Sequence, residues 1–452
     1  MENIESVEIG SIRESKRVKA NKVSTGFIPR QLAVFLALLV GYSAYYLCRQ
    51  NLGVAYIPMK DSMGLGTIEF GWIASAGTLA YAVGKVLTGG LADSRLGGKK
   101  VFFIGLFGSA ALSALFSNGT AITFFIICWS INRFFQSMGW GGLVNVMSRW
   151  FPKKSYGTAM GFMAISYQFG GVIAALFAAF LLSKGVGWQG LFIVPAATLA
   201  VIGLLIYPFI QDNPSKNLSD QPSLPVKNPK DTAVAVHDGL TYLGRFRFLL
   251  KKKQFLVMLS LSFMLTLLRE CFNVWVPAYF SQMGLSASSS AFKSAVFPLL
   301  GCVGTLFAGW FSDRFLSGRR APVMFGLMVG LLVSLLGLAF VSELSEKASM
   351  LFGQWFTLSN TAMLLIGGVG FFLLGPYSLV GGVVALDFGG QKTAGTAAGL
   401  LDGVGYLAAT LSGIGVATLV VRSGWSQVFF LMAAFTVVAM CISLTVWRVR
   451  PE

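Results

Sequence analysis

Long apolar segments alternate with short polar connections along most of this 452-residue chain. Each segment holds about 20 residues or more, the length of α-helix that crosses a bilayer. Six segments precede a polar stretch and six follow it: 31–57, 68–92, 100–117, 121–147, 156–183, 188–209, then 254–282, 289–312, 321–342, 360–386, 393–420 and 425–447. The pattern predicts an all-α membrane protein with twelve transmembrane helices.

The predicted helices divide the chain into two halves. A polar tail at 1–29 precedes a six-helix half at 30–209, and a linker at 210–253 leads to a second half at 254–447 and a short tail at 448–452. Acidic residues in the first tail argue against an organellar transit peptide, which is normally poor in acids.

The two halves repeat one another in sequence. A Gly-x-x-x-Asp motif follows the second segment, with its aspartate at Asp93, and another follows the eighth segment, with its aspartate at Asp313, 220 residues later. Basic residues come after each motif. The similar stretches 157–161 and 395–399 are offset by 238 residues, which indicates an insertion between the ninth and tenth segments. Duplicated halves that enclose a site near the middle of the membrane are typical of transporters.

Composition narrows the possible functions. Hydrophobic residues make up 55% of the chain and charged residues 12%, about half the charge of a soluble protein. The five cysteines lie in apolar segments without a metal-binding spacing, and the single histidine, His237, lies in a polar loop. Neither a metal site, a cofactor, an ATP-binding motif nor an enzyme's catalytic group is therefore expected.

The net charge of +17 is explained by topology. If both termini and the central linker share one side of the membrane, that side carries 26 of the 35 lysines and arginines, and the opposite side carries five. The positive-inside rule then predicts cytoplasmic termini, and we expect the plasma (inner) membrane. Nucleic acid is not an expected partner.

A positive charge lies within the first apolar segment. Arg49 would cost about 3 kcal/mol there unless it faced a partner or a watery cavity. Tyr42 and Tyr45 precede it by seven and four residues, on one face of a continuous helix. A fixed cation beside two phenol hydroxyls suits an anionic, oxygen-rich ligand. The alternative is an arginine that reaches the membrane surface from a helix end.

At the Gly-x-x-x-Asp loops the chain resembles the major facilitator superfamily. Within it, the chain is similar to the organophosphate:inorganic phosphate antiporter family, which includes bacterial glycerol-3-phosphate and hexose-6-phosphate antiporters and animal glucose-6-phosphate transporters. The resemblance covers about residues 35–440. It is carried by residues 41–49, 80–85, 135–140, 150–154 and 392–399, and by Arg269 with Trp275.

The resemblance implies roles for individual residues. Arg49 and Arg269 would clamp a phosphate group, and Lys85 would lie on the substrate path or else reach for the cytoplasmic surface. Asn273 shares the helical face of Arg269. The loop residues Asp93 and Asp313 would act in gating.

This sequence departs from the family where the organic part of the substrate is bound. Tyr167, followed by Gln168, stands where the glycerol-phosphate branch has a histidine. The acid and the lysine of the hexose-phosphate branch align with Ala398 and Leu401. The sequence therefore predicts a phosphate clamp without assigning the substrate to a known branch.

Three further charged residues lie in apolar segments. Arg133 in the fourth segment is either structural or a substrate ligand, and Glu270 and Asp402 are its candidate counter-ions. Asp402 could instead be a proton site.

These patterns predict an antiporter that exchanges an organophosphate, similar to a sugar phosphate or glycerol phosphate, for inorganic phosphate by alternating access, as a monomer. Two alternatives remain open at this point: a sugar-phosphate sensor with the same fold, and a proton-coupled symporter for an organic anion.

Overall fold

The structure of the protein is a computed structural model. It describes residues 29–92, 96–151, 153–213, 247–316, 320–380, 397, 399–445 and 447, with the backbone alone at 89, 90, 153–158 and 313. Every regular element within these ranges is helical.

The described residues of the first half form seven helices, because the first membrane span is broken into two. They are α1 (29–45), α2 (Asn51–Met63), α3 (Thr67–Ala92), α4 (Gly98–Phe116), α5 (Ile122–Trp150), α6 (Lys153–Ser183) and α7 (Gly190–Ile206). A 3-10 turn at Tyr46–Cys48 separates α1 from α2.

In the part of the second half that the structure describes, eight helices make up the spans and their connections. Its elements are α8 (Lys253–Gln282), α9 (Ala287–Ser294), α10 (Val296–Phe315), α11 (Arg320–Ala339), α12 (Val341–Phe352), α13 (Leu358–Ser378), α14 (399–409) and α15 (Leu411–Leu444). α12 lies between the ninth and tenth spans, where the repeat offset increases.

The helices account for twelve membrane spans. Nine stretches of the described chain are long and apolar enough to cross a membrane, and one of them, Gly399–Leu444, is bent at Gly424 (φ 78°) and holds two spans. α7 is a shorter apolar helix of 17 residues. In α5 the polar residues Asn132, Arg133 and Gln136 lower the hydropathy. The predicted all-α fold of two six-helix halves is confirmed.

The halves pack closely on the side of the membrane away from residue 29. α2 contacts α8, α3 contacts α15, and α6 contacts both α9 and α10. A Cβ atom at Gly53 would lie 2.8 Å from the carbonyl oxygen of Val274, and one at Gly413 would lie 2.5 Å from that of Gly71. Such backbone contact closes this side of the molecule, since small residues let helices approach each other.

Candidate functional site

Arg49 lies at the break in the first span. The break directs its partly exposed guanidinium toward aromatic rings, with Cζ 4.3 Å from the centroid of Tyr81 and 5.1 Å from that of Tyr46. Among the described residues no carboxylate makes a salt bridge with it. Aromatic faces attract a cation without neutralising it, so Arg49 retains its full charge.

Arg269 approaches Arg49 from the other half. This buried residue of α8 lies over the ring of Tyr377, with 4.4 Å from Cζ to the centroid. Its Nη2 donates to the hydroxyl of Tyr406, to which Arg49 Nη2 also donates at 3.1 Å. The Nε of Arg269 is buried and has no hydrogen-bond acceptor among the described atoms. The two arginines therefore converge on one oxygen and keep donor capacity for a ligand.

Among the described residues, Glu270 is the carboxylate that forms a salt bridge with Arg269. Its Oε1 accepts hydrogen bonds from Arg269 at 2.6 Å and from Asn273 at 3.1 Å. Its Oε2 lies 3.8 Å from Nη2 of Arg133, which donates through Nη1 to Gln136 at 3.3 Å. The partner of Arg133 left open by the sequence is thus Glu270, and Asp402 does not fill that role.

Asp402 pairs with Lys85 instead. The Lys85 Nζ lies 2.9 Å from the Asp402 Oδ2, which joins α3 of one half to α14 of the other. Lys85 is only 7% exposed, so it does not reach for the cytoplasmic surface. Its ammonium also lies 5.3 Å from the centroid of Tyr81, the same ring that faces Arg49.

A cavity of about 30 Å³ separates the halves beside these groups. Its polar lining includes Arg49, Gln50, Arg133, Glu270 and Asn273. The Gln50 side chain donates to Asn273 across the cavity at 3.3 Å. This volume accommodates ordered water but is too small for a molecule of the size of a sugar.

Comparison with known proteins identifies the architecture. The family model of the Major Facilitator Superfamily matches residues 38–413. The chain belongs to this superfamily. It is 28% identical over 447 residues to the glycerol-3-phosphate transporter of Bacillus subtilis, with 96% of each chain covered. It is 26% identical over 433 residues to the "Probable hexose phosphate transport protein" of Chlamydia pneumoniae, covering 92% of this chain and 91% of the relative.

Solved structures agree on the fold of this superfamily member. A bacterial homologue of the lysosomal transporter Spinster has a TM-score of 0.68 at 15% identity, with 93% of this chain and 97% of the other covered. The D-xylose–proton symporter also gives 0.68 at 15% identity, with 93% and 98% covered. The chain is thus a multi-pass membrane transporter and not an enzyme, and the family resemblance seen in its sequence is confirmed.

Tyr45, a predicted site residue of the transporter, contacts the first half rather than the arginines. The Tyr45 hydroxyl donates to the Phe102 carbonyl oxygen at 2.5 Å, within the first half. Tyr42 packs against Tyr45, Trp140 and Tyr46, and the Tyr46 ring faces Arg49. The helical face that Tyr45 and Arg49 would share in a continuous helix is lost, because the turn at 46–48 changes the helical phase before Arg49.

Two fifth-span residues contact the second half. Gln168 donates to the Thr305 hydroxyl at 2.6 Å and so joins α6 to α10. Tyr167 lies edge-on to Trp140 and Tyr377, with centroids 6.4 Å away in each case. Gln168 therefore contributes to the interface between halves, and Tyr167 lies beside the ring that covers Arg269. Asp93 and the side chain of Asp313, the predicted gating residues, lie outside the described residues.

Three tyrosines complete the site and were not predicted as ligands: Tyr81, Tyr377 and Tyr406. Their rings lie against the guanidinium groups, and those of Tyr81 and Tyr406 are 4.5 Å apart between centroids. A sequence signal was present, since Tyr81 is four residues before Lys85 and Tyr406 four after Asp402, on the same helical faces.

Proposed function

We propose that this transporter exchanges an organophosphate for inorganic phosphate. The observation that carries the proposal is the convergence of Arg49 and Arg269, one from each half, on a single oxygen atom. A guanidinium presents planar paired donors that match the oxygens of a phosphate group. The named activities of the bacterial relatives, glycerol-3-phosphate and hexose phosphate transport, support the same substrate class.

The charge of the described site suits a dianion. Four cations face two carboxylates, which leaves an excess of two positive charges; the charged groups are Arg49, Lys85, Arg133, Arg269, Glu270 and Asp402. A phosphate monoester near neutral pH carries about that charge with opposite sign. The organic part would contact the polar groups of Gln50 and Asn273 at the cavity.

Obligatory exchange follows from the position of the two arginines. They belong to different halves, so closing the empty site brings two positive charges together. A bound phosphate cancels this repulsion and makes closure more favourable, and a ligand shifts a conformational equilibrium only by such a difference. The transporter would then return across the membrane mainly in its loaded form, as a monomer with alternating access.

Exchange in proteoliposomes tests the proposal. Vesicles containing the purified protein are loaded with labelled phosphate and diluted into glycerol-3-phosphate, glucose-6-phosphate or buffer. We expect release with at least one organophosphate and little release into buffer. Binding without release would indicate a sensor, and uptake that requires a pH gradient and no internal phosphate would indicate a symporter.

The proposed orientation places both termini and the linker in the cytoplasm. In a Cys441→Ser background, a cysteine at Ser219 in the linker should resist an impermeant thiol reagent in intact cells. A cysteine at Lys347, an exposed residue of α12 on the opposite side, should be labelled and serves as the matched control. The reverse pattern would invert the topology.

A further inference from the structure

The Tyr406 hydroxyl occupies the point where the two arginines meet. It accepts a hydrogen bond from Arg49 Nη2 at 3.1 Å and a second one from Arg269 Nη2. Its side chain is buried and its ring lies against Tyr81. Among the described residues, no other side-chain oxygen accepts hydrogen bonds from both arginines.

A phenol oxygen has two lone pairs and can accept from both guanidinium groups. It is neutral, however, and hydrogen bonds from a cation to a charged oxygen are about twice as strong as neutral ones. A phosphate oxygen and the phenol oxygen cannot lie at the same point. When a phosphate oxygen takes this position, the Nη2 donors of Arg49 and Arg269 must therefore exchange the phenol oxygen for the phosphate oxygen.

We infer that the Tyr406 hydroxyl fills the phosphate-oxygen position of the empty transporter and is displaced when phosphate binds. This inference rests on the proposed function, because it takes the arginine pair as the phosphate site. Tyr406 is then a competitor for the clamp rather than a ligand of the bound substrate.

The Arg49–Tyr406 hydrogen bond also joins the two halves. It gives the closed, empty transporter a contact that requires no anion, although it leaves both arginine charges in place. Loss of this hydroxyl should make closure of the empty site less favourable without removing a contact from the loaded one. Net efflux, which requires the empty transporter to return, should therefore fall relative to exchange.

Phosphate affinity of a Tyr406→Phe variant tests the inference by its sign. Without the competing hydroxyl, inorganic phosphate should bind about fivefold to tenfold more tightly in calorimetric titration of the purified protein, since one or two hydrogen bonds no longer need to be broken. Weaker binding, or binding within twofold of the wild type, would overturn it. Tyr279→Phe, at a buried tyrosine in an aromatic cluster of the second half, should leave the affinity unchanged.

Two further measurements separate this inference from the proposed function. Thermal unfolding should show a larger stabilisation by phosphate in Tyr406→Phe than in the wild type, which also verifies folding. The ratio of net efflux to exchange should fall in the same variant, and an unchanged or higher ratio would contradict the inference. If the wild type fails to bind phosphate, both proposals fail. If the wild type binds phosphate and the Tyr406→Phe variant binds it more weakly, the proposed clamp stands and Tyr406 is a ligand of the phosphate.

Discussion

Among the described residues, two ion pairs join the halves of the transporter, and they are built differently. Lys85 and Asp402 make a single short contact of 2.9 Å, and the aspartate side chain is 21% exposed. Arg133 and Glu270 are 3.8 Å apart and both are about 5% exposed. Glu270 also accepts shorter hydrogen bonds from Arg269 and Asn273.

The difference indicates which contact can change during transport. A partly solvated carboxylate loses little when its partner leaves, because water replaces the contact. A buried carboxylate that serves several donors cannot be removed without leaving cations unpaired in a low-dielectric interior. Lys85–Asp402 is therefore suited to open and close with the halves, whereas Glu270 organises the arginine cluster.

The largest expected effect comes from removing the charge of Glu270. Glu270→Gln removes the carboxylate that pairs with both Arg133 and Arg269. We therefore expect the free energy of unfolding, measured by heat or denaturant, to fall by about 3–5 kcal/mol, with reduced expression. Arg133→Gln in the same chain should recover part of this loss. A Glu270→Gln protein as stable as the wild type would show that the arginines find other partners and would remove the distinction between the two pairs.

Arg49 sharpens the comparison because it belongs to neither pair. Arg49→Lys retains the charge but loses the planar donor geometry, so exchange of phosphate should fall by about 100-fold, equivalent to about 2.7 kcal/mol in transition-state terms. The free energy of unfolding should remain close to that of the wild type, since no described carboxylate pairs with Arg49. Near-normal exchange by Arg49→Lys or by Arg269→Lys would refute the clamp.

The sequence alone was enough to predict the membrane spans and the cationic residues within them. Twenty-residue apolar runs and the 220-residue repeat follow from local composition, and an arginine in such a run signals a functional site. The pairing of these charges could not be predicted from the sequence, because it depends on how helices that are distant in sequence are rotated against each other. Asp402 thus forms a salt bridge with Lys85 rather than with Arg133. The break at 46–48 places Tyr45 on a different face from Arg49.

The smallest effect is expected at Asp402, where it decides between a structural pair and a proton site. Asp402→Asn keeps an oxygen near Lys85 but removes the charge, so we expect about 1 kcal/mol of destabilisation, discounted for the exposure of the aspartate. This destabilisation comes from the loss of the salt bridge with Lys85, since Arg133 pairs with Glu270 and not with Asp402.

Exchange by Asp402→Asn at equal pH should persist with an unchanged pH profile, and Glu343→Gln on the exposed surface of α12 is the control. A well-expressed Asp402→Asn protein that keeps exchange but loses uptake driven by a proton gradient would make Asp402 the proton site. The short pair would then be a coupling element, and the transporter a symporter.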